Sequence, residues 1–80
     1  MKQYTQKEFD RFPVNDCGYK QCPSGDYTLI TNFPNRCSFD DLCYFGTGCS
    51  FGKQCSFDGL CYFGTGCSFG EQCSFGERYD

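Results

Sequence analysis

The 80-residue chain contains no histidine, no tryptophan, no excess of basic residues and no long apolar run. The lack of histidine removes the commonest general base and the commonest metal ligand. The net charge of −3 argues against binding nucleic acid through phosphate contacts. No stretch approaches the roughly 20 apolar residues of a membrane-spanning helix, and the first residues, MKQYTQKEFDRF, do not form a signal peptide. We therefore expect no membrane association and a cytoplasmic location.

Cysteine, in contrast, is abundant, with nine residues in the chain. A secreted disulfide scaffold has a comparable content, but nine is an odd number and seven of these cysteines are evenly spaced, six residues apart. These seven are Cys37, Cys43, Cys49, Cys55, Cys61, Cys67 and Cys73. Even spacing indicates a structural repeat, and free cysteine is commonly buried. We predict buried, reduced thiols that serve packing, with disulfides as the alternative.

Cys17 and Cys22 lie outside this series. Their spacing is looser than that of a metal-binding CxxC pair, and no second pair is free to complete four zinc ligands. We therefore predict no metal and no other cofactor, and we interpret the two residues as either a local disulfide or two packed thiols.

When the sequence is divided into groups of six residues starting at Gly25, residues 25–78 form nine consecutive hexapeptides. Position 1 is small, position 4 is often glycine, and position 3 is aromatic in every copy: Tyr27, Phe33, Phe39, Phe45, Phe51, Phe57, Phe63, Phe69 and Phe75. Positions 1 and 3 point to the same side of an extended strand, so the cysteines and aromatics form the predicted core. Glycine at position 4 permits a positive φ, and we expect it to make the corner that follows each strand.

A longer period predicts how many hexapeptides close one coil. Residues 42–59 and 60–77 are identical at fifteen of eighteen positions, and eighteen residues are three hexapeptides. The predicted fold is all-β, a small parallel β-solenoid of about three triangular coils in which Leu42 stacks on Leu60 and Tyr44 on Tyr62. The alternative is a two-sided coil of twelve residues. In that case the 18-residue period results only from a duplication within the sequence and does not reflect the length of a coil.

The hexapeptide Cys49-Ser50-Phe51-Gly52-Lys53-Gln54 resembles the repeat of left-handed parallel β-helices. The resemblance covers residues 25–78 and implies a left-handed coil, although that family has a branched aliphatic residue where this chain has phenylalanine. The repeated Cys-Ser-Phe-Gly motif is also similar to the repeats of small hexapeptide proteins of bacteriophages and prophages. Many left-handed β-helix proteins are acyltransferases that use a histidine, and this chain has none.

The residues outside the repeat are predicted to cover its ends. Residues 1–24 are out of phase with the repeat and form either a cap or a partner-binding arm. Tyr4, Phe9, Phe12 and Val14 are the side chains available to close the first coil. Residues 79–80 form a polar tail.

The outward residues suggest a role in binding. Tyr44 and Tyr62 are expected on one outer face with Asp40, Asp41 and Asp58 near them, and tyrosine is favoured at protein interfaces. We predict a non-enzymatic phage-type accessory protein of the bacterial cytoplasm, a monomer or small homo-oligomer that binds another protein.

Two other readings stay open. One is a disulfide-stapled ice-binding solenoid that uses a threonine ladder begun by Thr47 and Thr65. The other is a repeat peptide that is a target for thiol modification and has no fold of its own.

Overall fold

Short strands at the start of each hexapeptide stack on one another every eighteen residues. A computed structural model describes residues 1–76 of the chain. Its elements, in chain order, are α1 (Gln6–Asp10), β1 (Lys20–Cys22), β2 (Gly25–Asp26), β3 (Asn32–Phe33), β4 (Cys37–Phe39), β5 (Cys43–Tyr44), β6 (Ser50–Phe51), β7 (Ser56–Phe57), β8 (Cys61–Tyr62), β9 (Ser68–Phe69) and β10 (Ser74–Phe75).

The strands form three parallel sheets, which are the three faces of a solenoid. Face 1 has the order β2-β5-β8, face 2 has β3-β6-β9, and face 3 has β1-β4-β7-β10. Paired residues within the repeat are eighteen apart, as in Tyr44 with Tyr62 and Phe39 with Phe57. This register confirms the three-sided coil of eighteen residues and contradicts the two-sided one, because twelve residues per coil would pair different positions.

The solenoid begins before the first hexapeptide. Strand β1 pairs with β4 so that Cys22 lies opposite Phe39, an offset of seventeen residues instead of eighteen. The corner between β1 and β2 is therefore one residue short, which explains why the repeat is out of phase before Gly25. Part of the predicted cap or arm is a strand of face 3.

The aromatic residues at position 3 form three columns inside the solenoid. Phe33 and Phe51 stack with ring centroids 4.7 Å apart and planes 8° apart, and Phe39 and Phe57 stack at 5.1 Å and 3°. Rings of different columns meet edge to face, as Phe39 and Phe45 do at 88°. Parallel rings within columns and perpendicular rings between them are both favourable for aromatic quadrupoles, so phenylalanine at every position 3 fills the core without conflict.

Burial decreases toward the last coil. Six of the nine position-3 aromatics and the five cysteines from Cys37 to Cys61 are buried, whereas Phe63, Phe69, Cys67 and Cys73 are half-buried. Phe75 is on the inner side and stacks on Phe57 at 5.1 Å, but it is 37% exposed, so the expectation that it is a buried core residue is wrong. The physical reason is that no further coil of the described chain covers these residues.

The N-terminal segment covers the first coil. Tyr4 stacks on Tyr27 at 5.2 Å, and Phe9, which is 1% exposed, meets Phe33 edge to face at 5.4 Å. Helix α1 begins with a capping box between Thr5 and Glu8. Phe12 packs against the core as expected, whereas Val14 is 59% exposed and does not close the coil.

Helix α1 is anchored at its end by the solenoid, because the ammonium group of Lys20 donates to the carbonyl of Phe9 at 3.1 Å. A cation at this end also complements the helix dipole. This helix is five residues long, and residues 1–76 contain no helix with the length and apolarity needed to cross a bilayer.

The corners show a different use of glycine from the one predicted. Positive φ occurs at position 6, at Gln54 (59°) and Gly48 (72°), and not at the glycines of position 4. The position-4 glycines are needed for close stacking instead: a Cβ added to Gly64 would lie 2.6 Å from the carbonyl carbon of Gly46 in the coil below. Corners stacked this tightly leave no room for a side chain.

Candidate functional site

Each ladder cysteine is the first residue of a strand or directly precedes one, and six of the seven thiols donate to backbone carbonyl oxygens at the corners. The Sγ atom of Cys49 lies 3.2 Å from the carbonyl oxygen of Gly46, three residues earlier, and 3.6 Å from that of Ile30 in the coil below. The thiol of Cys67 also donates a hydrogen bond to the carbonyl oxygen of Gly46, at 3.4 Å. A small side chain with a weak S–H donor suits this space, and this pattern favours a structural role.

The surroundings oppose ionisation of five ladder thiols, whereas a hydrogen bond with Cys43 lowers the pKa of Cys61. Burial, together with the neighbouring Cys67, raises the pKa of Cys49 to about 11. A hydrogen bond with Cys22, with a further contribution from burial, raises the pKa of Cys37 to about 12. Because the thiolate is the nucleophile and the metal ligand, thiols held in this protonated state are poorly suited to either chemistry.

Neither a metal cluster nor a disulfide occurs in the part of the chain that the structure describes. Within residues 1–76 there is no group of three or more Cys, Asp or Glu side chains that could hold a metal ion. All nine cysteines are free thiols, and Cys17 is exposed while Cys22 is buried under the first coil. Cys17 and Cys22 are therefore not the local disulfide that was one of the two interpretations.

The outer side of face 1 carries the two predicted tyrosines. Tyr44 in β5 and Tyr62 in β8 are in register, and their rings stack with centroids 4.7 Å apart and planes 9° apart. Tyr44 is 37% exposed. Each tyrosine follows an inward cysteine, so the alternation of the strand directs it outward.

The three predicted aspartates lie at the corner that leads into this face. Asp40 and Asp41 precede β5, and Asp58 precedes β8 one coil later; all three are exposed. The hydroxyl of Ser56 donates to a carboxylate oxygen of Asp58 at 3.1 Å. The 18-residue period thus brings the tyrosines and aspartates of two coils to the same edge of the solenoid.

A shallow pocket lies at this corner and was not predicted. Its volume is about 230 Å³, and it is lined by Asp41, Leu42, Gly59 and Leu60. The stacking of Leu42 on Leu60 follows from the repeat, and the amide of Cys43 donates to the carbonyl of Leu60 at 3.1 Å. The sequence feature that could have indicated the pocket is the change from Asp41 to Gly59 at equivalent positions of two successive coils. This change removes a side chain from the upper coil.

The two threonines on which the ice-binding hypothesis depends do not lie on any of the three faces. Thr47 and Thr65 are in turns, each directly before a glycine with positive φ, Gly48 or Gly66. They therefore occupy a corner and not one of the flat faces.

A comparison of the chain with protein-family models, with curated proteins and with solved structures found no match.

Proposed function

We propose that this protein is a rigid, non-enzymatic binding module that recognises another protein through the outer side of face 1. The observation that carries the proposal is the outward stack of Tyr44 on Tyr62, beside the Leu42–Leu60 pocket and three exposed aspartates. Aromatic rings that combine a large apolar area with a polar tip are typical of interface centres.

The construction of the solenoid supports this role. The two tyrosines lie on adjacent strands of one sheet, and each directly follows a buried cysteine, Cys43 or Cys61. A side chain that is already ordered loses little conformational freedom on binding, so preorganised anchors gain affinity. The rigid core thus supports the surface without taking part in chemistry.

The absence of histidine from the sequence supports a non-enzymatic role, and the raised pKa values of Cys37 and Cys49 support it further. The resemblance of the Cys-Ser-Phe-Gly repeats to phage and prophage proteins suggests an accessory protein that binds a host protein in the bacterial cytoplasm. The separate resemblance of the hexapeptides to the repeat of left-handed parallel β-helices supports a left-handed coil.

The proposal is tested by capture of partners from a bacterial lysate under reducing conditions. The double variant Tyr44→Ala with Tyr62→Ala is expected to lower retention of a stoichiometric partner by about tenfold or more, as for truncation of interface hot spots. The matched control is Ser50→Ala with Ser68→Ala, which changes the equivalent outward positions on face 2.

Thermal unfolding of each variant shows whether the fold is kept. Equal capture by wild type and by a folded tyrosine variant would contradict the proposal. Ice binding is not proposed, because Thr47 and Thr65 lie at a corner and no further threonine among residues 1–76 extends their pair into a ladder on one of the faces.

A further inference from the structure

We infer that the partner presents an arginine side chain to the pocket lined by Asp41, Leu42, Gly59 and Leu60. This inference rests on the proposed function, because it names the chemistry by which face 1 recognises its partner. The pocket combines an apolar wall with a carboxylate, and these are the two features that an alkyl stem ending in a guanidinium group requires.

The pocket and the tyrosine stack belong to one surface. Tyr44 and Tyr62 follow the inward Cys43 and Cys61, so strand alternation places the tyrosines on the outer side. Leu42 and Leu60 directly precede the same two strands and line the pocket. Leu42 and Leu60 are half-buried. Methylene groups of a partner side chain that enters here therefore meet apolar surface on both coils.

The backbone keeps the pocket open. A Cβ added to Gly59 would lie 1.9 Å from the carbonyl oxygen of Asp41, so the two corners are in direct backbone contact there. Any larger residue at position 59 would both clash and fill the space above Asp41. The floor of the pocket is therefore preformed before a partner binds.

The charge around the pocket favours a cation. Asp40, Asp41 and Asp58 are exposed at this corner, and the ion pair found within residues 1–76 is elsewhere, between Lys2 and Glu8 in the N-terminal segment. Since no three acidic or thiol ligands of the described chain converge on one point, a metal cation is disfavoured and an organic cation fits better.

Arginine suits this site better than lysine does. A guanidinium group is planar, forms two parallel hydrogen bonds with a carboxylate and stacks on aromatic rings. The Asp41 carboxylate lines the pocket and the tyrosine stack lies two residues further along the same strands, so this surface carries both kinds of group. An ammonium group uses only the charge.

The test uses n-butylguanidinium as the probe, followed by the methyl NMR signals of the full chain. The chain has three leucines, of which Leu42 and Leu60 line the pocket and Leu29 does not. We expect the probe to shift the methyl signals of Leu42 and Leu60 and to leave those of Leu29 in place. Neutral n-butylurea, which has nearly the same shape, is expected to shift them several-fold less.

Two variants of equal charge separate local from general electrostatics. Asp41→Asn is expected to weaken probe binding several-fold, and Asp16→Asn, at an exposed position in the N-terminal segment, is expected to leave it unchanged. Equal responses to the guanidinium and the urea, or equal effects of the two variants, would overturn the inference. So would a probe that shifts no leucine methyl group.

The outcomes also separate this inference from the function on which it rests. If the tyrosine double variant loses its partner but the probe does not bind, the arginine assignment fails and the binding role stands. If the probe binds as expected but the tyrosine variant keeps its partner, the pocket is shown to bind guanidinium groups, and the proposed function fails together with the assignment of the arginine to its partner.

Discussion

At the scale of single residues, the cysteines differ in their surroundings more than their identical spacing suggests. Cys17 is exposed, Cys67 and Cys73 in the last coil are half-buried, and Cys22 together with the five cysteines from Cys37 to Cys61 is buried. Reactivity requires a thiolate that a reagent can reach. Exposure therefore ranks these thiols into three groups.

This ranking predicts the course of alkylation in the native, reduced protein. Cys17 is expected to react first, Cys67 and Cys73 more slowly, and the six buried cysteines only at the rate of unfolding. Peptide mass spectrometry after timed exposure to iodoacetamide gives the order, with the denatured protein as the control for full labelling. Early labelling of Cys49 or Cys55 would show that the corners are open to solvent.

Single residues also show where prediction from the pattern failed. Glycine at position 4 was predicted to supply a positive φ, but its role is to let corners of successive coils touch, as at Gly64. Both explanations require glycine, and the pattern alone does not separate them. The distinction depends on the distance to Gly46, eighteen residues away.

At the scale of the structural element, each coil stabilises its neighbours. Phe57 in β7 is fully buried and stacks on Phe39 below it and on Phe75 above it, at 5.1 Å in both cases. Phe75 in β10 is 37% exposed. The same residue type in one column thus has two very different degrees of burial.

This difference predicts unequal effects of truncation. Phe57→Ala is expected to lower the free energy of unfolding by about 3–5 kcal/mol, the range for large buried aromatics, because it leaves a cavity between two rings. Phe75→Ala is expected to cost less than half as much. Urea unfolding of both variants measures the difference, and equal losses would contradict nearest-neighbour stacking.

At the scale of the whole molecule, the protonated thiols link the fold to pH. The pKa of Cys49 is about 11 in the folded chain against an ordinary value of 9.0, because burial disfavours the thiolate. The folded state therefore keeps a proton that the unfolded chain releases, so a rise in pH favours unfolding. This contribution is fully present below pH 9 and is lost as the pH approaches 11.

We accordingly expect the free energy of unfolding to be flat from pH 6 to 8 and to fall between pH 9 and 11 under reducing conditions. Chemical unfolding at a series of pH values measures the slope. Cys49→Ala removes one of the titrating thiols and is expected to reduce the slope in this window. An identical slope in this variant would show that Cys49 does not contribute.

Much of the architecture was determined by the sequence itself. The six-residue alternation places Cys and Phe on one side of every strand because the direction of side chains in a strand depends only on local geometry. The 18-residue identity between residues 42–59 and 60–77 favoured three sides over two and predicted the stacking of Tyr44 on Tyr62, which the register of the strands confirms.

The tertiary structure alone decided the remainder. The exposure of Val14 beside the covering residues Tyr4 and Phe9, the exposure of Phe75 and the pocket at Gly59 all depend on contacts between distant parts of the chain. Such contacts are set by which surfaces remain uncovered once the coils have stacked. A periodic sequence specifies the same environment for every copy of the repeat. A stack of only a few coils, however, has two ends and a buried middle, so equivalent residues differ in exposure.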